Sequence, residues 1–175
     1  NKEAIFRTQI HETIKAHFEK QEELGDRVKV LSLFFIDKVD NYIHAESLIR
    51  QIFEEEFEKL LGHSERFKNV SVETLHKGYF ASKKEKGNIV FQDTRGDSKI
   101  DKEAYDLIMK DKERLLSFSE PTRFIFSHSA LKEGWDNPNI FQICTLVQTR
   151  DESTKRQKIG RGLRLPVDIN GDRVY

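Results

Sequence analysis

The chain has one cysteine, one methionine, one tryptophan and three prolines among 175 residues, and its formal net charge is zero. A lone cysteine excludes a disulfide framework built by this chain. Cys144 lies in the run Ile-Cys-Thr-Leu-Val with no base beside it, so it reads as a strand core residue and not as a nucleophile. Thirty basic against thirty acidic residues leave no global field to gather a polyanion, so any nucleic-acid contact has to be local. No apolar run approaches the ~20 residues that a membrane helix needs, and the charged, amphipathic start is unlike a signal peptide. A cytoplasmic protein without membrane contact is expected. The six histidines, His11, His17, His44, His63, His76 and His128, show no ligand spacing with one another or with Cys144, so no metal site is expected from this chain alone. Nowhere does Gly-x-x-x-x-Gly-Lys-Ser/Thr occur. Without that cradle and lysine for triphosphate oxygens, ATP hydrolysis by this chain alone is not expected.

What is present describes one domain with a short extension: 37% hydrophobic residues, enough for a core, and 34% charged residues, enough for a solvated surface. Ile10, Ile14 and Phe18 recur at steps of four, which predicts an amphipathic helix over 2–23 that Gly25 stops. Residues 28–36 are too continuously apolar for a half-solvated strand and predict a central parallel one. Ala45 to Leu61 predicts a helix ended by Gly62, Val70–Leu75 the next strand, and Asn88–Phe91 part of a hairpin within a long polar connection. Lys102–Phe118 predicts a helix with Asp101 as its cap and Ala104, Leu107, Ile108, Leu115 and Leu116 inward. Thr122–Ser127 and Phe141–Val147 predict strands, and Ser153–Arg164 a final helix. This alternation implies an α/β fold with a mostly parallel sheet and helices on both faces. The domain division is 1–26 as an N-terminal helix leading in, then 27–175.

Near the end stands Gln157-Lys-Ile-Gly160-Arg161-Gly-Leu-Arg164. Two arginines three apart share a helix face, so both guanidinium forks can aim at one polyphosphate. Glycine at 160 permits close backbone approach. The plainer alternative is a solvated basic helix end, where Lys155, Arg156, Lys158, Arg161 and Arg164 favour the negative C-terminal dipole. Upstream, Ser129-Ala-Leu-Lys-Glu-Gly134-Trp-Asp136-Asn-Pro138 follows the apolar run 123–127, so a glycine-bearing loop leaves a strand's carboxyl end, where ligands gather in open α/β sheets. Asp136 can be a turn aspartate bonding its own backbone, and Trp135 a packing residue or a base-stacking platform. The run Lys83-Lys-Glu-Lys86 is a candidate phosphate contact or a solvated loop.

These two tracts resemble motifs V and VI of superfamily two helicases. With residues 130–146, His76-Lys-Gly-Tyr-Phe-Ala-Ser82 and 160–165, the wording is similar to the Res subunit of type III restriction-modification enzymes, over most of residues 27–175. The resemblance implies a RecA-like second motor domain within a longer ATP-dependent DNA translocase and restriction endonuclease. On that reading Arg161 and Arg164 are arginine fingers. Gly134, Asp136, Gln157 and Gly160 line the ATP interface, and Ser129, His128, Asp37 and Lys38 meet the nucleic-acid backbone. His128 stands where helicases of this class often carry threonine, a departure from the pattern, and His76 matches a strand-end histidine of such domains, with Lys77 interposed. The implied cofactors are ATP and Mg2+ in the full-length enzyme, held mainly by a first RecA-like domain, with none expected in this fragment alone. The implied partners are DNA, the first RecA-like and nuclease domains of the same chain, and a modification (methyltransferase) subunit. Asp151-Glu152 reads as a loop and helix start, since no phosphate loop precedes it. No Glu-x-Lys nuclease signature follows a strand-end aspartate. Two alternatives stay open: the second motor domain of another superfamily two helicase, and a nonenzymatic RecA-like interaction module.

Overall fold

A computed structural model describes residues 2–80, 82–85, 88–91, 103–128, 137–146, 168, 170 and 172. Helix α1 (Lys2–Leu24) buries Phe6, Ile10, Ile14 and Phe18 at steps of four. Gly25 closes it at φ 59°, its N–H donating to the Gln21 carbonyl at 2.8 Å, a left-handed cap that glycine adopts without Cβ strain. Gln21 then stitches the turn. Its amide donates to the Gly25 and Val28 carbonyls at 2.7 and 2.9 Å, and its Oε1 accepts from the Val30 N–H at 2.9 Å.

In chain order there follow β1 (Leu31–Ile36), α2 (Leu48–Leu60), α3 (Val72–Leu75), β2 (His76–Tyr79), β3 (Ser82–Glu85), β4 (Asn88–Phe91), α4 (Lys112–Leu116), β5 (Phe124–Ser127) and β6 (Ile140–Leu146). Four strands form one parallel sheet in the order β2-β5-β1-β6, and β3 and β4 pair antiparallel as the expected hairpin. All six positions of β1 are buried, because helices cover both faces of the sheet. Phe34, Ile36, Phe124, Phe126, Cys144 and Leu146 pack toward α1 and α2. Leu31, Leu33, Phe35, Ile125 and Ile140 pack toward Leu107, Ile108 and Leu115 on the opposite side. The result is the α/β, RecA-like three-layer arrangement expected from the sequence.

The α1/α2 side is aromatic. Phe34 stacks on Phe126 at 4.7 Å between centroids, and Phe53 meets Phe124 edge-on at 5.0 Å. Each buried ring contributes roughly 1.5–3 kcal/mol by burial alone. Glu56, almost fully buried on α2, ties the helices together by accepting from Arg7, Lys59 and His11 at 2.9, 2.6 and 2.9 Å.

Three local expectations need correction. The strand expected at Val70–Leu75 lies one step later: Val72–Leu75 is a helical turn, and β2 begins at His76, opposite Phe124 of β5. Pairing with β5 decides the register here, overriding the β-branched alternation of Val70 and Val72. The helix expected over 102–118 is interrupted by a π-helical turn at Asp106–Lys110, after which Asp111 leaves helical geometry at φ −107°, ψ 62° and accepts from the Arg114 N–H to start α4. A continuous helix would set Asp111 on the stripe of Leu107 and Leu115, four residues from each, and bury it; the break leaves Asp111 exposed while Ala104, Leu107, Ile108 and Leu115 stay inside. Gly62 is no left-handed cap but the middle of a 3-10 turn, Leu61–His63, that tightens the end of α2. The Asp101 cap and the helix expected at 153–164 lie outside the described residues.

Candidate functional site at the carboxyl end of the sheet

Strands β1 and β5 are parallel neighbours with Phe35 opposite Ser127, so the chain leaves the sheet side by side at Asp37-Lys38 and at His128. These are the three expected nucleic-acid residues that fall within the described positions, and the topology brings them to one end. Ser129, Gly134, Asp136, Gln157, Gly160, Arg161 and Arg164, as well as Trp135, lie outside the described residues. Ser127, the last residue of β5, is buried, and its hydroxyl has no partner among the described residues.

Asp37 is committed. Its Oδ2 accepts from Lys2 Nζ at 2.7 Å and its Oδ1 from the Asn41 amide at 2.7 Å. Burial pushes the Asp37 carboxyl upward, but these two hydrogen bonds outweigh it and hold the group below the usual carboxylate range. Lys38 is exposed, makes no ion pair among the described residues, and begins a 3-10 turn, Val39–Asn41, by accepting the Asn41 N–H on its carbonyl at 3.2 Å. The carboxylate therefore shapes the loop, and the ammonium is the group left facing outward.

Just after this turn Tyr42 folds back into the core, its ring stacked 4.3 Å from Phe126 and its hydroxyl 2.6 Å from His76 Nδ1. His76 begins β2 instead of ending a strand as expected. Its Nε2 stands 3.2 Å from Glu54 Oε1 without hydrogen-bond alignment. Burial first, then Arg50 and Lys77, lowers the His76 pKa to about 3, so the ring is neutral near pH 7. Glu54 also accepts from Arg50 at 2.9 Å. Gly78 supplies the room: a Cβ there would come within 2.7 Å of the Tyr42 ring and 2.4 Å of Phe80. Lys2, Asn41 and Tyr42 escaped sequence reading. Asn41 alone had a local signal, the helical-turn spacing of four from Asp37.

Two other clusters are structural. His17 and Ser32 lie 2.8 Å apart like a base and a nucleophile, yet both are fully buried, and Ser32 donates to Gln142 at 2.8 Å. Burial also lowers the His17 pKa to about 3. Cys144, expected as a core residue, is buried, and burial pushes its thiol up to about 11. A cavity of about 690 Å³ between the later turns of α1 and α2, lined by His11, Phe18, Glu22 and His63 among others, lies away from the strand ends. Among the described residues no group of three or more His, Cys, Asp or Glu is arranged to hold a metal, and no helix is long and apolar enough to cross a membrane.

No protein-family model matches the chain. Curated relatives do. The chain is 37% identical over 177 residues to the type III restriction-modification enzyme EcoP15I Res subunit of Escherichia coli, covering 91% of this chain and 17% of that protein. It is 38% identical over 177 residues to the EcoPI Res subunit of Escherichia phage P1, with coverage of 91% and 17%. It is 37% identical over 204 residues to the StyLTI Res subunit of Salmonella typhimurium, with coverage of 95% and 20%. The chain thus spans about a fifth of the length of the curated relatives it matches. Identity sustained over nearly its whole length makes this chain the counterpart of one segment of the Res subunits of type III restriction-modification enzymes.

Proposed function

We propose that this chain is the second RecA-like motor domain of an ATP-dependent DNA translocase within a type III restriction enzyme. The observation that carries the reading is the emergence of Lys38 and His128 side by side from adjacent parallel strands, directly ahead of the Ser129–Pro138 motif in the sequence. The exposed ammonium of Lys38 and the partly buried ring of His128 at that end suit a phosphodiester backbone, which positions a motor without reading sequence. On this reading Lys38, His128 and Ser129 face the DNA backbone, and Asp37 shapes the loop that carries Lys38.

Arg161 and Arg164 act on the other partner. Their forks meet the charge that develops on the transferring phosphoryl group, and Gly134, Asp136, Gln157 and Gly160 line the same cleft. The sequence holds no Gly-x-x-x-x-Gly-Lys-Ser/Thr phosphate loop, so on this reading ATP and Mg2+ are assigned mainly to a first RecA-like domain that supplies one. A nuclease domain of the same chain and a methyltransferase subunit complete the proposed assembly.

The test is steady-state ATP turnover by the complete Res subunit with its modification partner and DNA. Arg161→Ala and Arg164→Ala should each lower turnover at least about a hundredfold, arginine fingers being worth roughly 10³ to 10⁵. KM for ATP should change far less. Lysine should rescue neither, because it lacks the bidentate fork. Near-normal turnover in folded alanine variants would leave Arg161 and Arg164 no catalytic role and remove the motor reading.

A further inference from the structure

The loop that carries Lys38 is held from two sides. On one side Lys2 and Asn41 occupy both oxygens of Asp37. On the other, Tyr42 is drawn inward to His76, whose Nδ1 lies 2.6 Å from the Tyr42 hydroxyl. The imidazole is buried to 5% exposure in the first residue of β2, with Phe53 at 5.0 Å and Phe126 at 6.0 Å between ring centroids. Tyr42 is itself buried, and its N–H donates to the Val39 carbonyl at 2.9 Å, closing the 3-10 turn that Lys38 begins. Such an arrangement is costly to assemble for packing alone, because burying a hydroxyl and an imidazole requires each to find a partner.

We propose that His76 is a positioning residue for the nucleic-acid contact of Lys38: by holding the Tyr42 hydroxyl it sets the 3-10 turn and aims the Lys38 ammonium at the phosphodiester backbone of DNA. The inference rests on the functional reading above and names the device that regulates its geometry. A neutral imidazole has one donor and one acceptor nitrogen. The Glu54 carboxylate 3.2 Å from Nε2 favours the proton on that nitrogen. Nδ1 is then the acceptor and Tyr42 the donor. Charges around the ring come from every packed element: Glu54 and Arg50 from α2, and Lys77 from β2. No side chain of β5 at this point titrates, since Phe124 and Phe126 are the ones that face it.

The experiment measures the affinity of the complete protein for a short DNA duplex over a range of salt concentrations, with thermal melts on every variant. Lys38→Ala should weaken binding and reduce the salt slope by about one. Tyr42→Phe, which deletes one hydroxyl, and His76→Ala should each weaken binding about threefold in the wild-type background and have no effect in the Lys38→Ala background, since they act only through that ammonium. His76→Asn, whose amide oxygen sits near the position of Nδ1, should restore most of the affinity lost in His76→Ala. If His76→Ala does not fold, Tyr42→Phe and His76→Asn decide the matter. Equal losses with and without Lys38, or a Tyr42→Phe variant that melts earlier yet binds like wild type, overturn the positioning role and leave the DNA reading intact. Wild-type binding indifferent to salt and to Lys38→Ala overturns both.

Discussion

At the amino end of the sheet, Lys29, Glu120, Thr122 and Arg123 are buried and hydrogen-bonded; at the carboxyl end, 37–38 and 128, polar side chains are partly or wholly exposed. Lys29, 1% exposed just before β1, donates to the carbonyls of Leu115, Ser117 and Glu120 at 2.6, 2.9 and 2.6 Å. It satisfies carbonyls left open where α4 ends, and so bolts that helix to the sheet. Beside it the Arg123 guanidinium donates to the Glu120 carbonyl and lies over the Phe118 ring, and Glu120 accepts from Thr122. Burial, with Arg123 adding to it and Glu120 opposing, draws the Lys29 pKa down to about 6. The amino end holds layers together, whereas the carboxyl end leaves Lys38 exposed and His128 partly exposed, at the side of an open parallel sheet where ligands generally gather.

The largest effect expected from this division is at Lys29. Lys29→Ala should cost about 3–5 kcal/mol in a urea titration, because buried carbonyls lose their donors and a cavity opens. DNA affinity of the remaining folded fraction should not change. A loss below about 1 kcal/mol would erase the contrast between the two ends.

The next effect is pH dependence. His17 and His76 have folded pKa values lowered to about 3, against an ordinary 6.5. Between those values the unfolded chain binds more protons than the folded one, so the stability that these two histidines contribute is fully present above pH 6.5 and is lost as pH falls toward 3. Each histidine contributes up to about 1.4 kcal/mol per pH unit. Urea midpoints at pH 7, 6 and 5 should show the slope, and His17→Gln should shrink it. A slope unchanged in that variant would mean that His17 is not held neutral in the fold.

The smallest effect belongs to the carboxyl end. Lys2→Ala removes a half-exposed ion pair to Asp37, and stability should fall by at most about 1 kcal/mol. A greater fall in thermal melts would show that this end, too, is a structural clamp.

Legibility followed the range of the interaction. Residues 28–36 could be read as a buried strand, and Ile10, Ile14 and Phe18 as a helix face, because periodicity is written in consecutive residues. The break at Asp111 had a signal that went unused, an acid four residues from both Leu107 and Leu115 on a stripe that must be buried. Val70–Leu75 misled, since its alternation fits a strand and only the partner strand decides where pairing begins. At the strand ends, Asp37, Lys38 and His128 were legible as residues following apolar runs, but not the Lys2–Asp37 pair, 35 residues apart.

The sequence by itself determined the α/β class, the central strand, the amphipathic first helix and the kinship with Res subunits, all carried by local pattern or by wording in order along the chain. Only the tertiary structure decided that Lys29 meets carbonyls 86 to 91 residues away, that Tyr42 reaches His76, and that β2 starts at His76 and not at Val70. The reason is physical. A buried polar group must find its partner wherever packing brings one, and strand register is set by the neighbouring strand, so neither is encoded in the spacing of nearby residues.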